Sequence, residues 1–426
     1  MGAPTPKMLP AYRPRVVDAE LTTLLASNGA VVLEGPRGSG KTETARRVAA
    51  SEVRLDVDDA AREAGLVEPG ILLPGDRPRL LDEWQLVPGI WNRVRRSVDD
   101  GAGGVGQYIL TGSASPADDE VRHSGALRFG RLRMRPMSLF EAGHSSGTVS
   151  LRALLDGDPV AAPDPGHTID DVATMICIGG WPALQGRSAA QALGALRGYL
   201  ADTARVDLKR VDGARRDPDN VLRVMRSLAR HTGTTASARA VAADVGGIDG
   251  PIDHHTVLDY TRALARIFMT EDLSAWAPRL RSRARLRAAA VRHFVDPSLA
   301  AAALGAGPES LVQDIELLGF LFESLVVRDV RVFTQATGAS VFHYRDSSDL
   351  EADLIIERPD GRWAAVEVKL GPGAVETGAA TLRRLAARID PARHGAPLAL
   401  AVVTGWGPAY RRSDGVFVVP LGSLGP

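Results

Sequence analysis

The sequence predicts an α/β chain with two sheets, one near each end, and a helical stretch between them. Three observations carry that expectation. Strand-like apolar runs alternate with helix-length segments through the first quarter of the chain. A glycine-rich loop joins the first of those runs to a helical segment. A later succession of helix, strand, strand, strand, helix and strand begins near residue 308.

Val31-Val32-Leu33 reads as a short buried strand, and Thr42–Ala50 follows at helical spacing. Between them Gly35-Pro36-Arg37-Gly38-Ser39-Gly40-Lys41-Thr42 is a complete G-x-x-x-x-G-K-[ST] loop in its strand-to-helix context. Glycines let backbone N–H groups close around a β-phosphate, and the helix start adds a positive dipole end. Lys41 is expected on the β/γ-phosphates and the Thr42 hydroxyl on Mg²⁺. Nucleotide contacts are therefore expected at Gly35, Pro36, Arg37, Gly38, Ser39, Gly40, Lys41, Thr42 and Glu43, with ATP and Mg²⁺ as cofactors. Of 51 basic residues only Lys7, Lys41, Lys209 and Lys369 are lysine. A chain that uses arginine almost everywhere keeps a compact ammonium in this loop.

Val53–Asp58, Arg79–Glu83 and Gln107–Thr111 continue the strand series toward a parallel sheet. Asp82-Glu83 ends the third run at the carboxyl edge, where open α/β sheets bind ligands. Asp82 is expected to hold Mg²⁺ and Glu83 to polarise the attacking water. Ser113, in Thr111-Gly112-Ser113, is the candidate sensor of the γ-phosphate, with a turn serine bonded to its own backbone as the alternative. Arg131 is the candidate for an arginine that stabilises transition-state charge, against a solvated surface role.

Arg15, the Gly35–Thr42 loop, Leu81-Asp82-Glu83-Trp84-Gln85 with Val87-Pro88, Leu110–Ser113, Gly130-Arg131 with Met137–Glu141, and Gly179-Gly180-Trp181-Pro182 recur in this order elsewhere. They resemble a large prokaryotic group of AAA-type P-loop ATPases that carry a C-terminal nuclease-like domain, a likeness covering nearly the whole chain.

Residues 143–168 are rich in Gly, Ser, Asp and Pro and read as an exposed linker or insertion. Residues 169–230 space their apolar positions three and four apart, as a helical lid would. Ala236–Val245 and Asp253–Ile267 read as helix–turn–helix around a tight turn at 246–251. With Phe268–Thr270 and Leu273–Trp276 as a small hairpin, they predict a winged helix over 231–278. Its second helix carries Arg262 and Arg266 for DNA, with a structural or protein-binding role as the alternative. His254-His255 lacks carboxylate or cysteine partners at metal spacing, so zinc is not expected. Arg279, Arg281, Arg283, Arg285, Arg287 and Arg292 place six cations within 14 residues, either a phosphate-neutralising stretch or a solvated basic face.

Over 279–426 the expected strands bring Asp353 onto one face with Glu367 and Lys369, which period two projects together. Two carboxylates there can bind Mg²⁺ or Mn²⁺ and activate water, and Lys369 can orient it. Glu323, on the preceding helix, can reach the same cleft. The set resembles the PD-(D/E)-x-K nucleases, with Ala352 in place of the nominal proline. The resemblance implies a restriction-endonuclease-like domain, active or retained as a scaffold.

The chain is 45% hydrophobic and 24% charged with zero formal net charge, so any nucleic-acid contact has to come from a local patch. Its one cysteine, Cys177, excludes an internal disulfide and reads as a small buried hydrophobe. The start of the chain lacks a signal-peptide pattern, and no apolar run reaches the roughly 20 residues of a span. The chain is therefore expected in the cytoplasm, with ATP and DNA as partners, no membrane, and a homo-oligomer left open. The expected division is a P-loop core over 1–142, linker 143–168, lid 169–230, winged helix 231–278 and nuclease-like domain 279–426.

Overall fold

A computed structural model describes residues 12–101, 104–114, 125–209, 213–214, 216–246, 252–277 and 289–426. The N-terminal sheet contains β1 (Ala30–Glu34), β2 (Ser51–Arg54), β3 (Arg79–Asp82), β4 (Tyr108–Gly112) and β5 (Phe129–Arg133). They lie in the order β2-β3-β4-β1-β5, and every pairing is parallel. Helices α1 (Val17–Ser27), α2 (Lys41–Arg46), α3 (Asp59–Val67) and α4 (Ile90–Asp100) cover the faces. Period two sorts the strand residues between those faces. Val31, Leu33, Leu80, Ile109 and Leu132 pack with Leu21 and Leu25 of α1. Ala30, Val32, Leu81 and Leu110 pack with Trp91, Val94 and Val98 of α4. Because β4 lies between β1 and β3, the loop after β1 and the carboxylate ending β3 open onto one edge.

Two elements are shorter than their sequence patterns suggest. α2 stops at Arg46 rather than continuing to residue 50. β2 ends at Arg54 because Asp58 turns to cap α3, its carboxylate accepting from the Ala61 N–H at 2.9 Å.

Residues 143–168, expected as an exposed linker or insertion, are exposed at many positions but carry buried anchors. After the short helix α5 (Leu139–Ala142), β6 (Val149–Ser150) pairs in parallel with the chain's last strand, Leu424–Gly425. α6 (Leu151–Asp156) buries Leu151, Leu154 and Leu155, and Ala162 bridges to Ala409. The polar composition of the segment hid this three-and-four apolar spacing.

The middle of the chain is helical: α7 (Ile169–Ile178), α8 (Ala189–Asp202) running into a π-helical turn at Thr203–Asp207, and α9 (Pro218–Arg230). Then come α10 (Ala238–Val245), α11 (His254–Arg266), α12 (Pro297–Leu304) and α13 (Pro308–Gln313). Helices α10 and α11 stand where the helix–turn–helix is expected, with residues 247–251 of the turn outside the described set. The expected hairpin does not form. Thr270 and Leu273 pair antiparallel with Phe294 and Val291, and Ala275 pairs with His343. The two short runs thus find partners far along the chain rather than each other.

The C-terminal region begins with the long helix α14 (Ile315–Gln335). It continues through β7 (Ser340–Arg345), β8 (Glu351–Glu357), β9 (Trp363–Lys369), α15 (Val375–Arg388), α16 (Pro391–His394) and β10 (Leu400–Thr404). It closes with β11 (Tyr410–Arg411), β12 (Phe417–Pro420) and β13 (Leu424–Gly425). Six strands lie in the order β11-β12-β10-β9-β8-β7, antiparallel from β7 to β9 and parallel across β9, β10 and β12. One face, through Leu354, Ile356, Val366 and Val403, shares a single core with α14 and the middle helices. The other packs on Ala379, Leu382 and Leu385 of α15. No helix among the described residues is long and apolar enough to cross a membrane. Cys177 lies buried on α7, where burial pushes its thiol up to about 12.

Helix α14 is held to the rest by Arg328. Its guanidinium meets Asp296, the N-cap of α12, at 2.8 Å and Asp329 at 2.6 Å, all three buried. Asp296 also accepts from the Gly180 N–H, and Asp329 from the Leu139 N–H, each at 2.9 Å. Arg328→Met should lower the unfolding free energy by about 3–5 kcal/mol, because it strands two buried carboxylates. Urea denaturation checks this, and a loss below about 1 kcal/mol would mean the charges are compensated without the guanidinium.

Candidate active sites

The glycine-rich loop takes the shape its glycines permit. Gly38 and Gly40 have φ of +80° and +102°, in the left-handed region that disfavours side chains. A Cβ on Gly35 would lie 2.0 Å from the Met134 carbonyl oxygen, so only glycine lets β5 approach the loop this closely. Arg15 buttresses the turn from behind: Nη1 donates to the Ser39 carbonyl at 2.8 Å and Nε to Glu141 at 3.0 Å. From the middle helices, Trp181 and Pro182 lie against the space beside Gly38 and Gly40. Lys41 is buried, and its Nζ donates to the Gly35 and Pro36 carbonyls, both at 2.9 Å. Burial pulls its ammonium down to about 8, against the opposing pull of Glu83 and Asp82; Arg133 and Arg37 add to the lowering.

The carboxyl ends of β3 and β4 complete the site. Thr42 Oγ1 donates to Asp82 Oδ1 at 2.8 Å, and Thr111 donates to the same oxygen. This hydroxyl and this carboxylate converge as all-oxygen donors, which suits Mg²⁺. Glu83 adopts φ of +55°, a strained backbone for a side chain of that size and one found at functional sites. Its Oε2 accepts from Gln85 and, at 2.9 Å, from Ser113. Beside them opens a cavity of about 730 Å³ lined by Arg37, Glu83, Gln85, Ser113, Tyr199 and Ile267.

Several of the expected contact residues carry pairings of their own. Arg131 is exposed on β5, bonded to Glu34 and placed over the Trp91 ring, which accounts for its charge without a phosphate. Glu43 points out from α2 to pair with Arg46 at 2.7 Å. Arg37 reaches Asp207 of the π-helical turn at 3.7 Å. Thr111, absent from the sequence expectation, shares the strand parity of Ser113; that parity was the available signal. Period two also makes Arg133 the partner in parity of Arg131, and sequence alone does not choose between them.

A second charged group lies on β8, β9 and α14. Asp353 Oδ2 accepts from the Val368 N–H at 2.7 Å. Lys369 Nζ is 2.6 Å from Glu367 and 3.7 Å from Asp353. Glu323 is half-buried on α14, and burial, with Asp353 second, raises its carboxyl well above the ordinary range. Burial likewise raises Glu367 to about 7, and it raises Asp353. Burial lowers the Lys369 ammonium, but the acids outweigh that and hold it above its ordinary value. Acids thus outnumber cations in a half-desolvated cleft, a setting that favours a divalent cation. The donors of Glu323, Asp353 and Glu367 do not all come within 4.8 Å of one another, however.

Among the described residues, the one trio that does is Asp253, His254 and His255. These are consecutive residues at the start of α11, and Asp253 already caps it by accepting from the His255 N–H at 2.7 Å. Arg262 is exposed on that helix and Arg266 lies in its last turn. Arg279, Arg281, Arg283, Arg285 and Arg287 fall outside the described residues. Arg292 is engaged by the Ala236 carbonyl at 3.1 Å and Asp272 at 3.3 Å.

Comparison with known families divides the chain in three. Residues 169–310 match a domain of unknown function, DUF8612, taking in the expected lid and winged helix together and running past residue 279. Residues 318–424 match a second such domain, DUF4143. No curated protein matches the chain. Among solved structures, the Walker-type ATPase PABY2304 of Pyrococcus abyssi is similar at 11% identity and a TM-score of 0.43. The match covers 67% of this chain and 94% of that one, a likeness too distant to bear on the fold. Residues 27–143 match the AAA domain. With the loop, the Thr42–Asp82 contact and the all-parallel sheet, they form an AAA-type P-loop ATPase domain.

Proposed function

We propose that the chain is a Mg²⁺-dependent ATPase that couples nucleotide turnover to DNA binding, with phosphodiester cleavage at the C-terminal acidic cluster. The observation that supports the reading most is the convergence of Lys41, Thr42, Asp82 and Glu83 at one sheet edge, beside a cavity large enough for a nucleotide. Thr42 and Asp82 would hold Mg²⁺, which supplies neutralisation of β- and γ-phosphate oxygens. Lys41 exchanges its loop carbonyls for those oxygens. Glu83, steadied by Ser113 and Gln85, orients the attacking water. DNA would lie along Arg262, Arg266 and the arginine stretch 279–287.

At the second cluster Asp353 and Glu367, with Glu323, would hold Mg²⁺ or Mn²⁺, which polarises the phosphodiester and its water. Lys369 would orient that water. Two observations favour a second reading, an ATP-operated switch with a catalytically inactive nuclease-like domain. Lys369 is already paired with Glu367, and the three acids do not converge.

Two experiments decide these points. Lys41→Ala should reduce steady-state ATP hydrolysis by about 100-fold or more, consistent with loss of a principal phosphate contact; unchanged turnover refutes the site. Mg²⁺-dependent cleavage of plasmid and single-stranded DNA should disappear in Asp353→Ala and Glu367→Gln. No cleavage by the unaltered protein, or cleavage that survives Asp353→Ala, selects the switch.

A further inference from the structure

We propose that Arg133, and not Arg131, is the arginine that meets the terminal phosphate of the nucleotide from within the same chain. This rests on the reading of the P-loop as an ATP site.

Arg133 ends β5, in register with Glu34, the residue that leads into Gly35. The Met134 N–H donates to the Glu34 carbonyl at 2.7 Å, and the Met134 carbonyl fills the space a Cβ of Gly35 would need. The backbone after Arg133 is thus pressed against the first glycine of the loop. Its guanidinium lies 4.0 Å over the Phe268 ring. Phe268 is itself held at φ of +62°, a strained position for an aromatic residue. The preceding residue, Ile267, is part of the cavity wall beside Glu83 and Ser113.

Arg133 has no anion of its own. Its Nε is buried without a hydrogen-bond partner, and among the described residues no carboxylate lies within ion-pair distance of it. The nearest candidates are committed. Glu34 is bonded to Arg131, and Glu271 takes Arg135 through two bonds of 2.6 and 2.8 Å, with Arg331 at 3.8 Å. Burial lowers Arg133 from its ordinary value, and its charge is felt at Lys41. A desolvated guanidinium with no anionic partner is costly, and one carried by a strand end that abuts the loop would be matched by phosphate oxygens. In hydrolysis a water oxygen bonds to the γ-phosphorus as the bridge to the β-phosphate breaks. The electron pair leaves with ADP, and the water's proton passes to the phosphate product. Arg133 exchanges no proton; it balances charge on the γ-oxygens.

The test uses the full chain with Arg133→Ala, Arg133→Lys and, separately, Lys41→Ala. Affinities for ADP and a non-hydrolysable ATP analogue, turnover, and thermal midpoint are measured for each. Arg133→Ala should bind ADP within about threefold of the unaltered protein, lose about tenfold in preference for the triphosphate, and lose 30-fold or more in kcat. Arg133→Lys should recover part of both. The thermal midpoint should hold or rise, since an unpaired buried cation is removed. Unchanged triphosphate preference, equal loss of ADP and ATP-analogue binding, or a fall of several degrees in midpoint would each overturn the assignment. If the unaltered protein shows no turnover, or Lys41→Ala retains it, the ATPase reading fails. The ratio of triphosphate to diphosphate affinity still judges Arg133 in that case.

Discussion

The arrangement of the molecule depends on one buried guanidinium. Arg328 lies between Asp296 and Asp329, and those carboxylates also accept backbone N–H groups of Gly180 and Leu139. Burial raises Asp329 to about 6 even with the cation beside it, which measures how dry the place is. Charges so placed tolerate little displacement, because each lost contact leaves an uncompensated ion. Helix α14 is therefore fixed against both the segment leaving the nucleotide domain and the middle helices. A helix of its 21 residues is about 30 Å long and, fully hydrogen-bonded, moves as one piece. Glu323 on its body faces the C-terminal acids, while Gln335 at its end receives Arg135 and donates to the Arg133 carbonyl at 2.7 Å.

Much of the nucleotide site was legible because its chemistry is local. Eight consecutive residues specify the loop, and a strand ending in Asp82-Glu83 needs only the neighbouring strand order to reach it. The helix and strand succession from Ile315 to Thr404 was legible for a similar reason, each element carrying its own apolar period. What escaped depends on partners remote in sequence. Thr270 and Leu273 read as a hairpin until Phe294 and Val291 claim them. The polar stretch after residue 143 gave no sign that β6 would pair with the chain's last strand, some 275 residues on. Arg131 and Arg133 share a strand face, so periodicity cannot rank them. The parallel register to β1 and the Phe268 ring separate the paired arginine from the unpaired one.

The two charged sites differ in how their charges are balanced. At the loop, Lys41 is desolvated and its ammonium is met only by carbonyl dipoles, while Asp82 is met by two hydroxyls. No acid among the described residues touches that ammonium directly, although Glu83 and Asp82 act on it from a distance. At the C-terminal cluster acids outnumber the cation: Glu367 and Asp353 flank Lys369, Glu323 acts on it only through its charge, and burial lifts all three carboxyls above their ordinary range. Direct contacts thus leave a cation without an acid at the loop and acids in excess of the cation at the C-terminal cluster.

The same contacts account for lysine at two of its four positions in an arginine-rich chain. Guanidinium groups serve wherever a planar fork can bridge two oxygens, as Arg15, Arg135 and Arg328 do. At residues 41 and 369 the cation is instead enclosed by several oxygens at once. Two loop carbonyls surround one, and two carboxylates flank the other. A compact ammonium can turn among such acceptors and exchange one for another without a planar group having to be reoriented. Arginine at residue 41 would need a bidentate partner in one plane, and two separate loop carbonyls do not offer one.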